Sequence, residues 1–162
     1  MPLSIAILGC GGRGRGYATI MGRDPARFRL VAAADPVAGR RAVVANAAGQ
    51  AIEEYASDEA LFARGRIADV LVIATQDAYH YRHALRAMEL GYDLLLEKPV
   101  APTPAESIAI GARALVLGRR VVVCHVLRHT RFYRAVRTSL DRGDIGEPMA
   151  IEASEGVEPW HQ

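Results

Sequence analysis

Directly behind the apolar run Ile5-Ala6-Ile7-Leu8, the segment Gly9-Cys10-Gly11-Gly12-Arg13-Gly14 sets three glycines at the spacing G-x-G-x-x-G. The chemistry that needs this pattern is the cradling of a phosphate. Gly9 permits a tight turn out of a strand, Gly11 lets the main chain approach a pyrophosphate, and Gly14 lets the next helix pack close to the sheet. Gly12 and Arg13 complete the loop, whose free N–H groups and positive helix end face the anion. Asp35 closes the next apolar run 21 residues beyond Gly14, near the roughly 20 at which an acid meets the ribose hydroxyls of a dinucleotide. The competing reading is an ordinary strand-to-helix turn with a surface acid before Pro36.

Glu97-Lys98-Pro99 is the second group with chemical potential. Lys98 is the only lysine, and 19 arginines supply every other fixed side-chain cation, so a general taste for basic residues does not explain it. An arginine stays protonated, whereas a lysine amine can exchange its proton. Such an amine beside a carbinol can act as acid or base in hydride chemistry. It follows a strand-like run, and ligands of open parallel sheets bind outside the carboxyl ends of strands. A surface lysine before a proline turn is the competing reading.

These residues need a frame to hold them. Continuous apolar runs at Ser4 to Gly9, Phe28 to Ala34, Ala68 to Ala74, Asp93 to Leu96 and Val121 to Val126 alternate with helical stretches. Helices are expected at Tyr17 to Gly22, Pro36 to Ala48, Ser57 to Ala63, Asp77 to Leu90 and Pro104 to Leu117. Runs that are apolar throughout suit strands covered on both faces, which predicts an α/β, doubly wound parallel sheet. Ser57 and Asp77 are candidate caps, Pro104 suits a first turn, and Gly49, Gly91 and Gly118 follow helix ends.

With 162 residues and a net charge of +2, the chain can bury one good core but offers no basic surface for nucleic acid. Its scattered arginines read as solvated faces. No apolar stretch reaches the 18 or so residues of a membrane span, and no charged leader precedes the first strand, so a cytoplasmic setting is expected. Cys10 and Cys124 form neither a disulfide framework nor a metal site.

Gly9 to Gly14, Asp35, the segment Ala74-Thr75-Gln76-Asp77-Ala78-Tyr79-His80, and Glu97-Lys98-Pro99 together resemble the N-terminal half of the glucose-fructose oxidoreductase/inositol dehydrogenase (Gfo/Idh/MocA) family. The resemblance covers essentially the whole chain. It implies a Rossmann domain, residues 1–126, and the start of a truncated second α/β domain, residues 127–162. It also implies hydride transfer between NAD, preferred to NADP, and a sugar-like or polyol substrate in a homo-oligomer. By resemblance, Gly9, Gly11 and Gly14 hold phosphate and Asp35 the ribose. Thr75 and His80 would lie beside the cofactor, with Glu97 and Lys98 at the nicotinamide and substrate. Gln76 stands where the family usually has proline. His80 is equally compatible with a plain helix-face histidine, and His83 is expected at the surface. A cofactor-binding module without turnover is the alternative function.

Beyond Val126 a helix is expected at Phe132 to Arg142, a turn at Gly143 to Pro148, and an amphipathic strand over Met149 to Ala153. Such a strand without its sheet predicts pairing with another copy or local disorder. Trp160 suits an interface, the mouth of a pocket or a core position in a further domain, and His161 receives no catalytic role.

Overall fold

The computed structural model describes residues 1–154 and Gly156. Within them the chain divides into two compact units, which meet at Cys124 and His125. In the first unit, β1 (Leu3–Leu8), β2 (Phe28–Ala34), β3 (Glu53–Tyr55), β4 (Val70–Ile73), β5 (Asp93–Leu96) and β6 (Val121–Val123) form one parallel sheet in the order β3-β2-β1-β4-β5-β6. This is the doubly wound Rossmann order, with its switch point between β1 and β4. Five of the strands fall where the apolar runs predict. The unforeseen one, β3, reads Glu-Glu-Tyr and lies at the sheet edge, where one side needs no apolar cover.

The helices α1 (Gly12–Gly22), α2 (Ala38–Ala48), α3 (Asp58–Phe62), α4 (His80–Glu89) and α5 (Pro104–Leu117) connect the strands. Alternate strand residues feed two cores. Ile5, Ile7, Leu30, Ala33 and Val72 pack with Ala18, Met21 and Val44 of α1 and α2. Ala6, Leu8, Ala34, Leu71 and Ile73 pack with Ala84, Met88 and Ile110 of α4 and α5. Ser57 caps α3 as expected, accepting a hydrogen bond from Ala60 N–H. Asp77 caps nothing. It opens a short 3-10 turn, Asp77–Tyr79, behind Gln76, so the α-helix proper starts at His80. α5 is capped instead by Thr103, whose hydroxyl and Glu106 form a reciprocal capping box in front of Pro104.

The register brings Leu8 level with Ala34 and Ile73, and Ile73 level with Leu96. Gly9, Asp35, Thr75 and Glu97 therefore emerge along one edge of the sheet. Gly9 has φ +95°, and a side chain there would sit 2.5 Å from the Ala74 carbonyl oxygen. A methyl group on Gly14 would land on the Gly9 carbonyl oxygen, so these two glycines let α1 close onto the sheet. Gly14→Ala should lower the unfolding free energy by about 1–3 kcal/mol, the usual cost of overpacking against main chain. A denaturant midpoint equal to the native one would show that α1 can simply move away.

In the second unit, a 3-10 turn at Val126–His129 precedes α6 (Arg131–Asp141), which Thr130 caps by accepting a hydrogen bond from Tyr133 N–H. The expected strand over Met149 to Ala153 does not form. Residues 149–154 carry no regular structure, with Met149 91% and Ile151 87% exposed. Alternation alone makes no strand when no partner pairs its N–H and C=O groups. Trp160 and His161 lie outside the described residues.

Candidate cofactor and hydride-transfer site

A cavity of about 510 Å³ opens over the carboxyl ends of β1, β2 and β4. Gly9 and Gly11 line one part, Asp35, Pro36 and Arg40 another, and Asp58, Thr75, Tyr79 and His83 a third. Asp35 is buried, and both its oxygens accept backbone N–H groups: Cys10 at 2.9 Å and Val37 at 2.8 Å. The acid thus ties the glycine loop to the turn after β2. Arg41 is engaged nearby, donating to the Asp35 carbonyl at 2.7 Å with its Nε 3.3 Å from Glu54. Arg40 is exposed on the cavity wall.

Glu97 follows β5 and is only 5% exposed. Tyr17 of α1 donates its hydroxyl to Glu97 Oε1 at 2.6 Å, Arg13 Nε lies 3.6 Å from the same oxygen, and the Lys98 N–H donates to Oε2 at 3.2 Å. A buried carboxylate is tolerated when its oxygens are partnered in this way. Burial, with hydrogen bonding to Cys124 and Glu97, pushes the Tyr17 phenol above its ordinary value, so it stays a donor at neutral pH. Lys98 itself is exposed. The glycine loop and Glu97-Lys98 thereby share one sheet edge, joined through α1.

The two histidines of α4 both face inward. His80 is fully buried, its Nδ1 2.7 Å from the Pro99 carbonyl oxygen and its Nε2 3.1 Å from that of Thr75. It stands between two loops, within hydrogen-bond distance of a carbonyl oxygen of each. His83 is not at the surface: it is 3% exposed and lines the cavity. It belongs to the inward stripe of α4 with His80, Ala84, Ala87 and Met88, the i, i+3, i+4, i+7 and i+8 positions of a helix face. That spacing is legible in the sequence, but the flanking arginines hide it. Tyr17 carries no comparable signal, since 80 residues separate it from Glu97.

The thiols offer no nucleophile. Burial and the Asp35 charge push Cys10 up to about 12, and burial raises Cys124 as well. Among the described residues no group of three or more His, Cys, Asp or Glu side chains could hold a metal ion, and no helix is long and apolar enough to cross a membrane.

The model of an oxidoreductase family with an NAD-binding Rossmann fold, GFO_IDH_MocA, matches residues 3–125. Inositol 2-dehydrogenase 1 of Saccharopolyspora erythraea is 31% identical over 154 residues, covering 93% of this chain and 45% of that protein. An Agrobacterium radiobacter oxidoreductase, solved with NAD+, L-tartaric acid and magnesium, superposes with a TM-score of 0.78 at 25% identity, covering 91% of this chain and 42% of that one. A Lactobacillus casei scyllo-inositol dehydrogenase, solved with NAD(H) and scyllo-inositol, shares the fold with a TM-score of 0.81 at 20% identity, covering 91% and 43%. The chain therefore spans less than half the length of these relatives.

Proposed function

The chain belongs to the Gfo/Idh/MocA oxidoreductase family, and from that premise we propose that it is the cofactor half of an NAD-dependent dehydrogenase acting on a polyol, cyclitol or sugar. The observation that carries this reading is the exposed Lys98 beside the partnered, buried Glu97, on the same sheet edge as the glycine loop. A module that only bound dinucleotide would need Gly9, Gly11, Gly14 and Asp35, but no lone amine at the end of β5.

The residues fit the cofactor. The cavity's size suits a nucleotide, and the glycines keep its phosphate end free of side chains. NAD, when bound, supplies a hydride acceptor. Gly9, Gly11, Gly12, Arg13 and Gly14 then form the phosphate loop, with Asp35 accepting from the ribose hydroxyls. Thr75 lies on the opposite wall. Lys98 takes the substrate's hydroxyl proton as the carbon loses hydride, and gives it back in the reverse direction. Glu97, held by Tyr17 and Arg13, fixes the strand end that presents Lys98. Residues 127–162 are read as the start of a second domain that closes this site over substrate and carries the subunit contacts.

Titration with NAD and with NADP tests the cofactor reading. NAD should bind more tightly, because the Asp35 carboxylate opposes a second phosphate at the ribose. Equal or tighter binding of NADP overturns that assignment, and no binding of either removes the dinucleotide reading altogether.

A further inference from the structure

Asp58, His83 and Thr75 form a hydrogen-bonded row along the cavity wall that the proposed reaction does not use. His83 Nε2 lies 2.9 Å from Asp58 Oδ2, and His83 Nδ1 lies 3.1 Å from Thr75 Oγ1. We propose that this row presents the Thr75 hydroxyl to the cavity as a hydrogen-bond acceptor, so that the site selects the exocyclic amine of an adenine base, and that protonating His83 reverses the preference. The proposal rests on the dinucleotide reading above.

The chemistry follows from which atoms can donate. A carboxylate only accepts, so the Nε2 facing Asp58 carries the hydrogen. A neutral ring then has a bare Nδ1, which accepts the Thr75 hydroxyl hydrogen. That hydroxyl has one hydrogen, now spent, and its remaining lone pairs are all it can offer a ligand. A protonated ring turns the row around: Nδ1–H donates to Oγ1 and frees the hydroxyl hydrogen for the cavity.

The surroundings hold His83 in its neutral form at pH 7. Burial lowers its pKa, the Arg82 charge and His80 act the same way, and Asp58 opposes them. Burial alone would raise Asp58, but hydrogen bonding with Glu59 and His83 and the Arg82 charge outweigh it and keep the carboxyl below its ordinary value. Arg82 donates to Asp58 Oδ2 at 3.0 Å. On the far side of this bridge, Glu59, Phe62 and Arg86 line a second cavity with Asp58, Arg82 and His83. The rings of Tyr79 and Phe62 stand 5.8 and 6.1 Å from the imidazole and add no hydrogen-bonding group of their own to it. Thr75 and His83 line the same cavity as Asp35, the proposed ribose acid, and neither Glu97 nor Lys98 at the proposed nicotinamide end lines it, so the donor that Thr75 meets belongs to the adenosine end, where the base supplies the amine.

The hypoxanthine analogue of NAD tests this, because it replaces the amine by a carbonyl oxygen and keeps both phosphates. The ratio of the two dissociation constants cancels charge effects common to both ligands. In the native protein NAD should bind about tenfold more tightly than the analogue near neutral pH, the worth of one matched against one mismatched hydrogen bond. On acidification through the titration of His83 the ratio should fall. With Thr75→Val it should stay near one at every pH. Nitrogen NMR of histidine-labelled protein without ligand should show His83 as the Nε2–H tautomer at neutral pH. An Nδ1–H tautomer overturns the proposal, as does equal affinity for the two dinucleotides near neutral pH or a native ratio that acid leaves unchanged. If NAD does not bind at all, the dinucleotide reading fails with it, and the tautomer alone then says whether the row is polarised as described.

Discussion

Lys98→Met, placed in a chain that carries a full second domain, should reduce turnover about 100-fold or more while leaving NAD binding nearly intact, the size of effect expected when an acid/base group is lost. The exposure of Lys98 limits any structural role, since its side chain is not packed in the core. The hydrogen bond to Glu97 comes from its backbone N–H, which methionine retains. Lys98→Arg is the more informative change, because it keeps the charge and removes the readily exchanged proton. If arginine keeps near-native turnover, Lys98 is an electrostatic contact only. If methionine does too, the residue has no part in the chemistry. The 162-residue chain should bind NAD and turn over little, because acid–base transfer needs an opposing wall that excludes water and fixes the substrate.

Asp35→Ser should weaken NAD by roughly tenfold or more and bring the NAD and NADP affinities close together. Two losses combine in that change. The cofactor loses an acceptor at the ribose, and the glycine loop loses the carboxylate that holds the Cys10 N–H at 2.9 Å and the Val37 N–H at 2.8 Å. Removing the negative charge also unmasks Arg40 on the cavity wall. Arg41, already engaged by the Asp35 carbonyl and Glu54, is not free to help. Adding Arg40→Ala to Asp35→Ser should therefore cut NADP binding and leave NAD binding unchanged. An unaltered NAD-to-NADP ratio in Asp35→Ser would place the adenosine ribose elsewhere.

The parts that could be read without coordinates are those written in consecutive residues. The run into Gly9, the glycine spacing, Asp35 at the end of its strand and Glu97-Lys98 at the end of another are local patterns whose geometry the parallel sheet then aligns. What escaped depends on meetings across the chain. Tyr17 of α1 meets Glu97 from 80 residues away, and Asp58 reaches His83 because α3 packs beside α4. β3 escaped because an edge strand can be polar. Over Met149 to Ala153 the alternation yields no strand, because the described residues supply no neighbouring strand for it to pair with. His83 shows a further limit: a histidine expected at the surface is buried on the inward face of α4.

Because Lys98 is the only lysine and its side chain is exposed, the molecule contains a single side-chain amine for acylating or alkylating reagents. Reductive methylation of the 162-residue chain with isotopically enriched formaldehyde would place one side-chain dimethylammonium resonance at the end of β5. Its chemical shift against pH would report the protonation of that amine directly. Following the same signal during addition of dinucleotide would report, without mutagenesis, whether the cofactor arrives beside Lys98.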